Sequence, residues 1–236
     1  MNETIHLSRQ FDEDLERLRS SVLQMGGIVE SQLSTITKAY ANNNSATVLV
    51  VLENDREVNA MEKAIDDDCI HIIAKRQPTA SDLRLIMGVS KMVTDLERSG
   101  DEVKKIAKSI RRIQNSELTP HRELALLKGI TDVRHLSKAA SSQLRKSLDS
   151  FARLDTGDAG AVIAGDEDLD AEFKAIVRQL ITYMMEDPRS ITTSLDIITI
   201  ARAIERVGDH AKNIAEQVIY IAEGRDVRHT KSDTNE

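Results

Sequence analysis

One stretch of this chain is written twice. Glu97-Arg98-Ser99-Gly100-Asp101-Glu102-Val103-Lys104-Lys105-Ile106-Ala107 returns 108 residues later as Glu205-Arg206-Val207-Gly208-Asp209-His210-Ala211-Lys212-Asn213-Ile214-Ala215, with seven of the eleven positions identical. A repeat of this kind restricts the fold to two copies of one supersecondary unit. Further matches extend it. Ser31-Gln32-Leu33 returns as Ser142-Gln143-Leu144 and Tyr40-Ala41 as Phe151-Ala152, both at an offset of 111. At the same offset Asp55, Val58, Ala60, Lys63, Ala64 and Ile65 meet Asp166, Leu169, Ala171, Lys174, Ala175 and Ile176. Pro78 meets Pro188 at 110. Two amphipathic helices share Leu, Ala and Lys by composition alone, but matched Gly and Pro are not helix filler.

The breaks fall where turn chemistry places them. The chain has only three prolines, Pro78, Pro120 and Pro188, and each suits the first turn of a helix, where a missing N–H costs little. Thr119 and Asp187 precede two of them as N-cap residues. Polar stretches at 41–45 and 154–157 mark two more breaks. Six segments result: 8–41, 45–76, 79–115, 120–153, 157–186 and 189–224. The third carries an apolar seam at three-four spacing: Ile86, Val89, Val93, Leu96, Gly100, Val103, Ala107 and Ile110. Its counterpart in the sixth is Ile197, Ala201, Ile204, Gly208, Ala211, Ala215 and Val218. Strand signals are poor, with little period-two alternation and 3% aromatic residues. The pattern predicts an all-α fold, a tandem duplication of two three-helix bundles built from six long antiparallel helices. The first bundle spans 8–116, the second 119–224, and 225–236 forms a flexible tail.

Composition narrows the class. A hydrophobic content of 40% suits slim helical cores, and the longest aliphatic run, Val48 to Leu52, is far short of a spanning helix. The polar, acidic N-terminus carries no signal-peptide pattern, which points to the cytoplasm. The single cysteine, Cys69, rules out an intramolecular disulfide and reads as a small core residue. The net charge of −7 argues against nucleic acid as a partner. The local basic cluster of Lys104, Lys105, Lys108, Arg111 and Arg112 reads as a solvated helix face.

The carboxylates carry the chemistry. Residues four apart share a helix face, so Glu97 neighbours Asp101 and Glu205 neighbours Asp209. One helix earlier, Asp166 and Asp170 form a second pair, with Asp55 and Asn59 as first-half counterparts. Gly100 and Gly208 sit between the acids although a mid-helix glycine costs about 1 kcal/mol relative to alanine. That cost implies close approach of another backbone or of a ligand. Acids from the second and third helices of each half are thereby expected to converge on a cation. Oxygen-rich sites suit Mg, Mn or Ca ions and also accept Fe or Zn. The competing reading is a solvated face, with Asp101 paired to Lys105 and Asp209 to Lys212. The only Glu-x-x-His string, Glu3 to His6, is terminal, which disfavours a di-iron bundle. Gly26-Gly27 reads as tight helix packing.

The paired Glu-Arg-x-Gly-Asp motifs in a duplicated three-helix chain resemble the PhoU family of phosphate-transport accessory proteins. Met25-Gly26-Gly27, the stretch Ile73 to Arg84 and Tyr183-Met184-Met185-Glu186-Asp187 resemble its proteobacterial branch, and the likeness runs from about Gln10 to His229. The resemblance implies a cytoplasmic, dimeric, non-enzymatic negative regulator of the phosphate-starvation response and of phosphate uptake. Its implied partners are the ATPase subunit of a phosphate ABC transporter and a phosphate-sensing membrane histidine kinase, with only peripheral membrane association. It implies metal clusters at Glu97, Asp101, Glu205, Asp209, Asp166 and Asp170. Asn59 departs from the acidic pattern, so weaker metal affinity is expected in the first half. A reading from another class is a metal-dependent phosphohydrolase, with Arg202 and Arg206 as substrate-binding groups.

Overall fold

The computed structural model describes residues 9–115 and 120–228, apart from the side chains at 53–55, 120–125 and 127–128. Its helices are α1 (Arg9–Ala41), α2 (Ser45–Arg76), α3 (Ala80–Gln114), α4 (Pro120–Arg153), α5 (Thr156–Ala164), α6 (Asp166–Glu186) and α7 (Ile191–Glu223). Local chemistry sets their ends. The Asn44 side chain accepts from the Thr47 N–H at the start of α2. Gln77 closes α2 in the left-handed region, with φ 47°, and donates its N–H to Ile73. Asp155 caps α5 by accepting from Gly157 and Asp158, and Gly224 ends α7 with φ 71°.

Pro120 opens α4 at its first residue, as predicted. Asp187 caps as predicted, accepting from Arg189 N–H, and Pro188 opens a short 3-10 turn leading into α7. Pro78 differs. It lies between Gln77 and Thr79, outside the first turn, because Thr79 takes the N-cap position and α3 begins at Ala80. Thr119 lies outside the described residues.

The six predicted rods are present, and the fifth is interrupted at one residue. Gly165 separates α5 from α6. Its carbonyl accepts from Gln143 Nε2 on α4 at 2.6 Å, so a side chain replaces a helix bond. The break gives α6 a new N-terminus with Asp166, Glu167 and Asp168 in its first turn, where acids are favoured by the helix dipole. The first-half counterpart, α2, runs unbroken.

Both seams face inward. Every residue of the α3 seam and of the α7 seam is buried, and the apolar core is continuous through both halves. Cys69 lies in that core, and burial pushes its thiol pKa up to about 12. The halves meet through two antiparallel helix pairs. In the α1–α4 pair, Gly26 packs on Leu148 while Thr37 shares a 2.7 Å hydroxyl bond with Ser137. Positions 26 and 137, like 37 and 148, are repeat equivalents, so one contact occurs twice about a local pseudo-twofold. Gly26 fulfils the packing expectation, whereas a Cβ at Gly27 would meet open space. The second pair, α3–α7, carries the duplicated motif.

Candidate site where the two motif copies meet

The glycine notches hold a side chain. A Cβ on Gly100 would lie 3.3 Å from Val58 of α2, and a Cβ on Gly208 would collide with Leu169 of α6. Val58 and Leu169 are repeat equivalents, so each half seats an aliphatic residue in the same notch. The glycines implied another backbone or a ligand at close range, and the structure places an aliphatic side chain there instead.

The acids beside the notches are arranged as ion pairs. Glu205 is buried on the α7 face, accepting from Arg202 Nη1 at 2.8 Å through one oxygen, while Oε2 has no hydrogen-bond partner. Burial raises its pKa, with Asp209 and Asp170 adding to the shift and Arg202 opposing it. Partial burial and the Asp166 carboxylate raise Asp209 in the same way, against the pull of His210, Lys212 and Arg202. The second-half quartet of Asp166, Asp170, Glu205 and Asp209 thus lies within electrostatic reach, as the spacing predicted. Cations are interleaved with it: Lys212 holds Asp166 at 2.6 Å and Lys174 holds Asp170 at 2.6 Å.

The first half is built differently. Asp101 is half-exposed, with Lys104 at 3.9 Å, and Glu97 is half-buried. Asn59 is half-buried on α2, and the Asp55 side chain lies outside the described residues. The acid of α2 that feels Asp101 is Glu62, whose pKa is raised by burial and then by Asp66, with Asp101 contributing. Two pairings expected from spacing form elsewhere. Lys105 donates to Glu102 at 2.7 Å instead of reaching Asp101, and Lys212 reaches across to Asp166 instead of Asp209. In both cases the chosen acid is the less exposed one, where a pair is screened less.

Among the described residues no group of three or more His, Cys, Asp or Glu side chains could hold a metal ion. The residues as placed do not fit a preformed ion site. Two buried oxygens near the quartet have no hydrogen-bond partner, Glu205 Oε2 and, beside the Gly208 notch, Gln143 Oε1.

Sequence reasoning missed the residues that join the halves. On α3, Gly88, Asp95, Glu102 and Ser109 recur every seven residues and are all buried, facing α7. A Cβ on Gly88 would meet Ile221. Asp95 Oδ1 accepts from Asn213 Nδ2 at 3.0 Å and lies 2.9 Å from His210 Nδ1. Glu102, buried, accepts from Arg206 at 3.3 Å and from Lys105. The seven-residue period was the available signal, the mark of a packed helix seam. His210 of α7 is thus a cross-helix partner of Asp95.

The antiparallel crossing therefore brings both motif copies to one place. A cavity of about 590 Å³ between α3 and α7 is lined by Arg98 and Arg206, by Asp101 and Asp209, by Glu102 and His210, and by Lys105 and Asn213, four equivalent pairs. Four of its lining side chains are basic and three are carboxylates, so the charges nearly balance. Such a lining stabilises a helix junction.

Two stretches of the chain, residues 22–110 and 133–218, match the family described as PhoU domain. A phosphate-specific transport system accessory protein PhoU homolog of Pseudomonas aeruginosa is 45% identical over 226 residues, covering 96% of this chain and 90% of that protein. The accessory protein PhoU of Escherichia coli (strain K12) is 42% identical over 233 residues, covering 99% and 93%. The crystal structure of PhoU from Pseudomonas aeruginosa superposes with a TM-score of 0.85 at 43% identity, covering 91% of this chain and all of that one. A phosphate transport system regulatory protein PhoU from Streptococcus pneumoniae gives 0.82 at 26% identity, covering 92% and 99%.

Proposed function

The chain belongs to the PhoU family, and from that membership we propose that it is a regulatory accessory protein of phosphate transport. It lowers phosphate uptake and represses the phosphate-starvation response when phosphate is plentiful. It acts by docking, as a cytoplasmic homodimer that links the ATPase subunit of a phosphate ABC transporter to a sensor histidine kinase. The observation that carries a docking mode of action is the use made of the duplicated motif. From it Glu102, Arg206 and His210 are spent on pairs between α3 and α7, Glu102 with Arg206 and His210 with Asp95 just outside the motif. Groups committed to holding helices together fix the shape of a surface. Among the described residues no helix is long and apolar enough to cross a membrane, so contact with membrane proteins occurs at their exposed domains.

The test is cellular. Radiolabelled phosphate uptake is measured in phosphate-replete cells lacking the gene, with and without the wild-type copy. Deletion raises uptake and the wild-type chain restores it. Uptake that stays unchanged on deletion overturns the reading.

Metal loading at Glu205, Asp209, Asp166 and Asp170 is a second reading, favoured by the partnerless Oε2 of Glu205. An ion there must displace Lys212 and compete with Arg202. The raised carboxylates would then release protons on loading. Elemental analysis of gently purified protein tests it: a stoichiometric metal, lost in Glu205→Gln, supports this reading, and metal-free protein with intact regulation removes it.

A further inference from the structure

The second half carries an apolar groove with a basic rim. Its floor is α7, through Ile198, Thr199, Arg202 and Ala203, and its volume is about 580 Å³. One wall is α6, through Phe173 and Val177, and the other is α3, through Glu102 and Lys105. No contact joins α3 to α6, so the two walls stand apart across α7. This is the geometry left when one helix of a bundle is removed.

The lining has two characters. Phe173, Val177, Ile198 and Ala203 make an apolar base, and the Arg202 guanidinium lies over the Phe173 ring at 4.3 Å. The rim is basic: Lys105, Lys174, Arg178, Arg202 and Arg206 stand against the single acid Glu102. Asp170 and Glu205 neutralise Lys174 and Arg202 from outside the groove, and Arg178, exposed on α6, has no ion pair among the described residues. A basic rim on a chain of net charge −7 is a local inversion of sign. The apolar surface also continues beyond the groove. Ile181 and Met185 on α6, and Ile191 and Leu195 on α7, are exposed at the three- and four-residue spacing that carries on from Val177 and Ile198.

The repeat supplies an internal control. At the equivalent first-half positions Phe173 becomes Glu62, Val177 becomes Asp66, Arg178 becomes Asp67, Ile198 becomes Ser90 and Ala203 becomes Asp95. The same backbone frame therefore presents carboxylates in one half and an apolar, cationic trough in the other. Packing alone does not require this difference, since the notch residues Val58 and Leu169 stayed alike.

We propose that the α3–α6–α7 groove is a docking site for an acidic amphipathic helix of a partner protein. The apolar stripe of that helix lies along Val177, Ile198 and the exposed Ile181 and Leu195, and its flanking Glu and Asp residues face Lys105, Arg178 and Arg206. Charge complementarity selects an acidic occupant, and the trough between two separated helices selects a helical one. A small anion would leave the apolar floor and the exposed stripe uncovered. The site gives the adaptor reading a surface and rests on it for cellular meaning, but binding by the purified chain is measured apart from phosphate uptake. Failure of one is therefore distinguishable from failure of the other.

The probe is a fluorescein-labelled synthetic helix about five turns long, with Leu on one face and Glu on its flanks, followed by fluorescence anisotropy with the full chain. A scrambled peptide of the same composition is the control. Binding of the amphipathic peptide alone, weakened by salt and reduced roughly tenfold or more by Arg178→Asp, is expected. Thr199→Glu on the exposed floor acts in the same direction, while Asp67→Arg in the first half changes nothing. Absence of binding at high peptide concentration overturns the proposal, as does equal binding by Arg178→Asp and Thr199→Glu. So does sedimentation of the chain with phosphatidylglycerol vesicles through these same residues, which assigns the patch to a lipid surface.

Discussion

The two halves of this molecule agree inside and disagree outside. Inside, Gly100 and Gly208 open equivalent notches, Val58 and Leu169 fill them, and both long seams are buried. Outside, one half sets Asp66 and Asp67 where the other sets Val177 and Arg178. Close packing tolerates few changes of volume, so a duplicated interior stays alike. Surface positions away from special contacts are nearly free in stability, so they diverge with the work each half does. The comparison locates function on the surface of the second half and architecture in the shared motif.

The largest expected effect tests the interior. Leu169→Ala is predicted to cost about 2–5 kcal/mol in urea denaturation, because it empties a tightly filled notch. Val58→Ala removes a smaller side chain from a looser fit and costs less. Equal costs would break the asymmetry between the notches. Next come the glycines. Gly208→Ala forces Leu169 aside and is predicted to destabilise by about 1–3 kcal/mol. Gly100→Ala asks Val58 to give a few tenths of an ångström, and a gain in helix propensity of about 1 kcal/mol offsets that, leaving stability nearly unchanged. At the junction between halves, Asp95→Ala removes the shared acceptor of His210 and Asn213 and is expected to cost about 1–3 kcal/mol.

The smallest effect is electrostatic. Asp209 has a folded-state pKa above its unfolded value, so its charged form penalises the folded chain at neutral pH. The penalty is relieved as pH falls through the raised folded pKa and is gone below the ordinary value of about 3.9. Asp209→Asn is therefore predicted to be more stable than wild type at neutral pH, with the advantage shrinking toward pH values near that ordinary pKa. Thermal melts across that window check the sign. A variant that instead loses stability at neutral pH would show that Lys212 and His210 dominate the site.

Periodicity and turn residues made the fold legible. The three-four seams, the matched prolines and the polar breaks placed six rods, and the mid-helix glycines announced a close approach. The sequence could not say what approached. A glycine records missing volume and carries no mark of whether an apolar knob or an ion fills it. The break at Gly165 was hidden because its carbonyl is satisfied by Gln143, 22 residues away in sequence. Partner choice was hidden for a related reason. Helix spacing offers each acid a neighbour within its own helix, but the antiparallel crossing of α3 and α7 offered Glu102 a partner 104 residues distant. The seven-residue stripe of Gly88, Asp95, Glu102 and Ser109 was visible all along and marks that crossing.

The central claim is that the α3–α7 crossing holds the scaffold, that the four motif acids Glu97, Asp101, Glu205 and Asp209 are dispensable, and that the second-half surface does the regulating. Phosphate uptake in cells lacking the gene, complemented by two variants, tests it most directly. One variant carries Glu97→Gln, Asp101→Asn, Glu205→Gln and Asp209→Asn, and the other carries Arg178→Asp. The account predicts that the neutralised chain restores low uptake and the Arg178→Asp chain leaves it high. Restored repression by Arg178→Asp, with none from the neutralised chain, would contradict it and return the function to the acids.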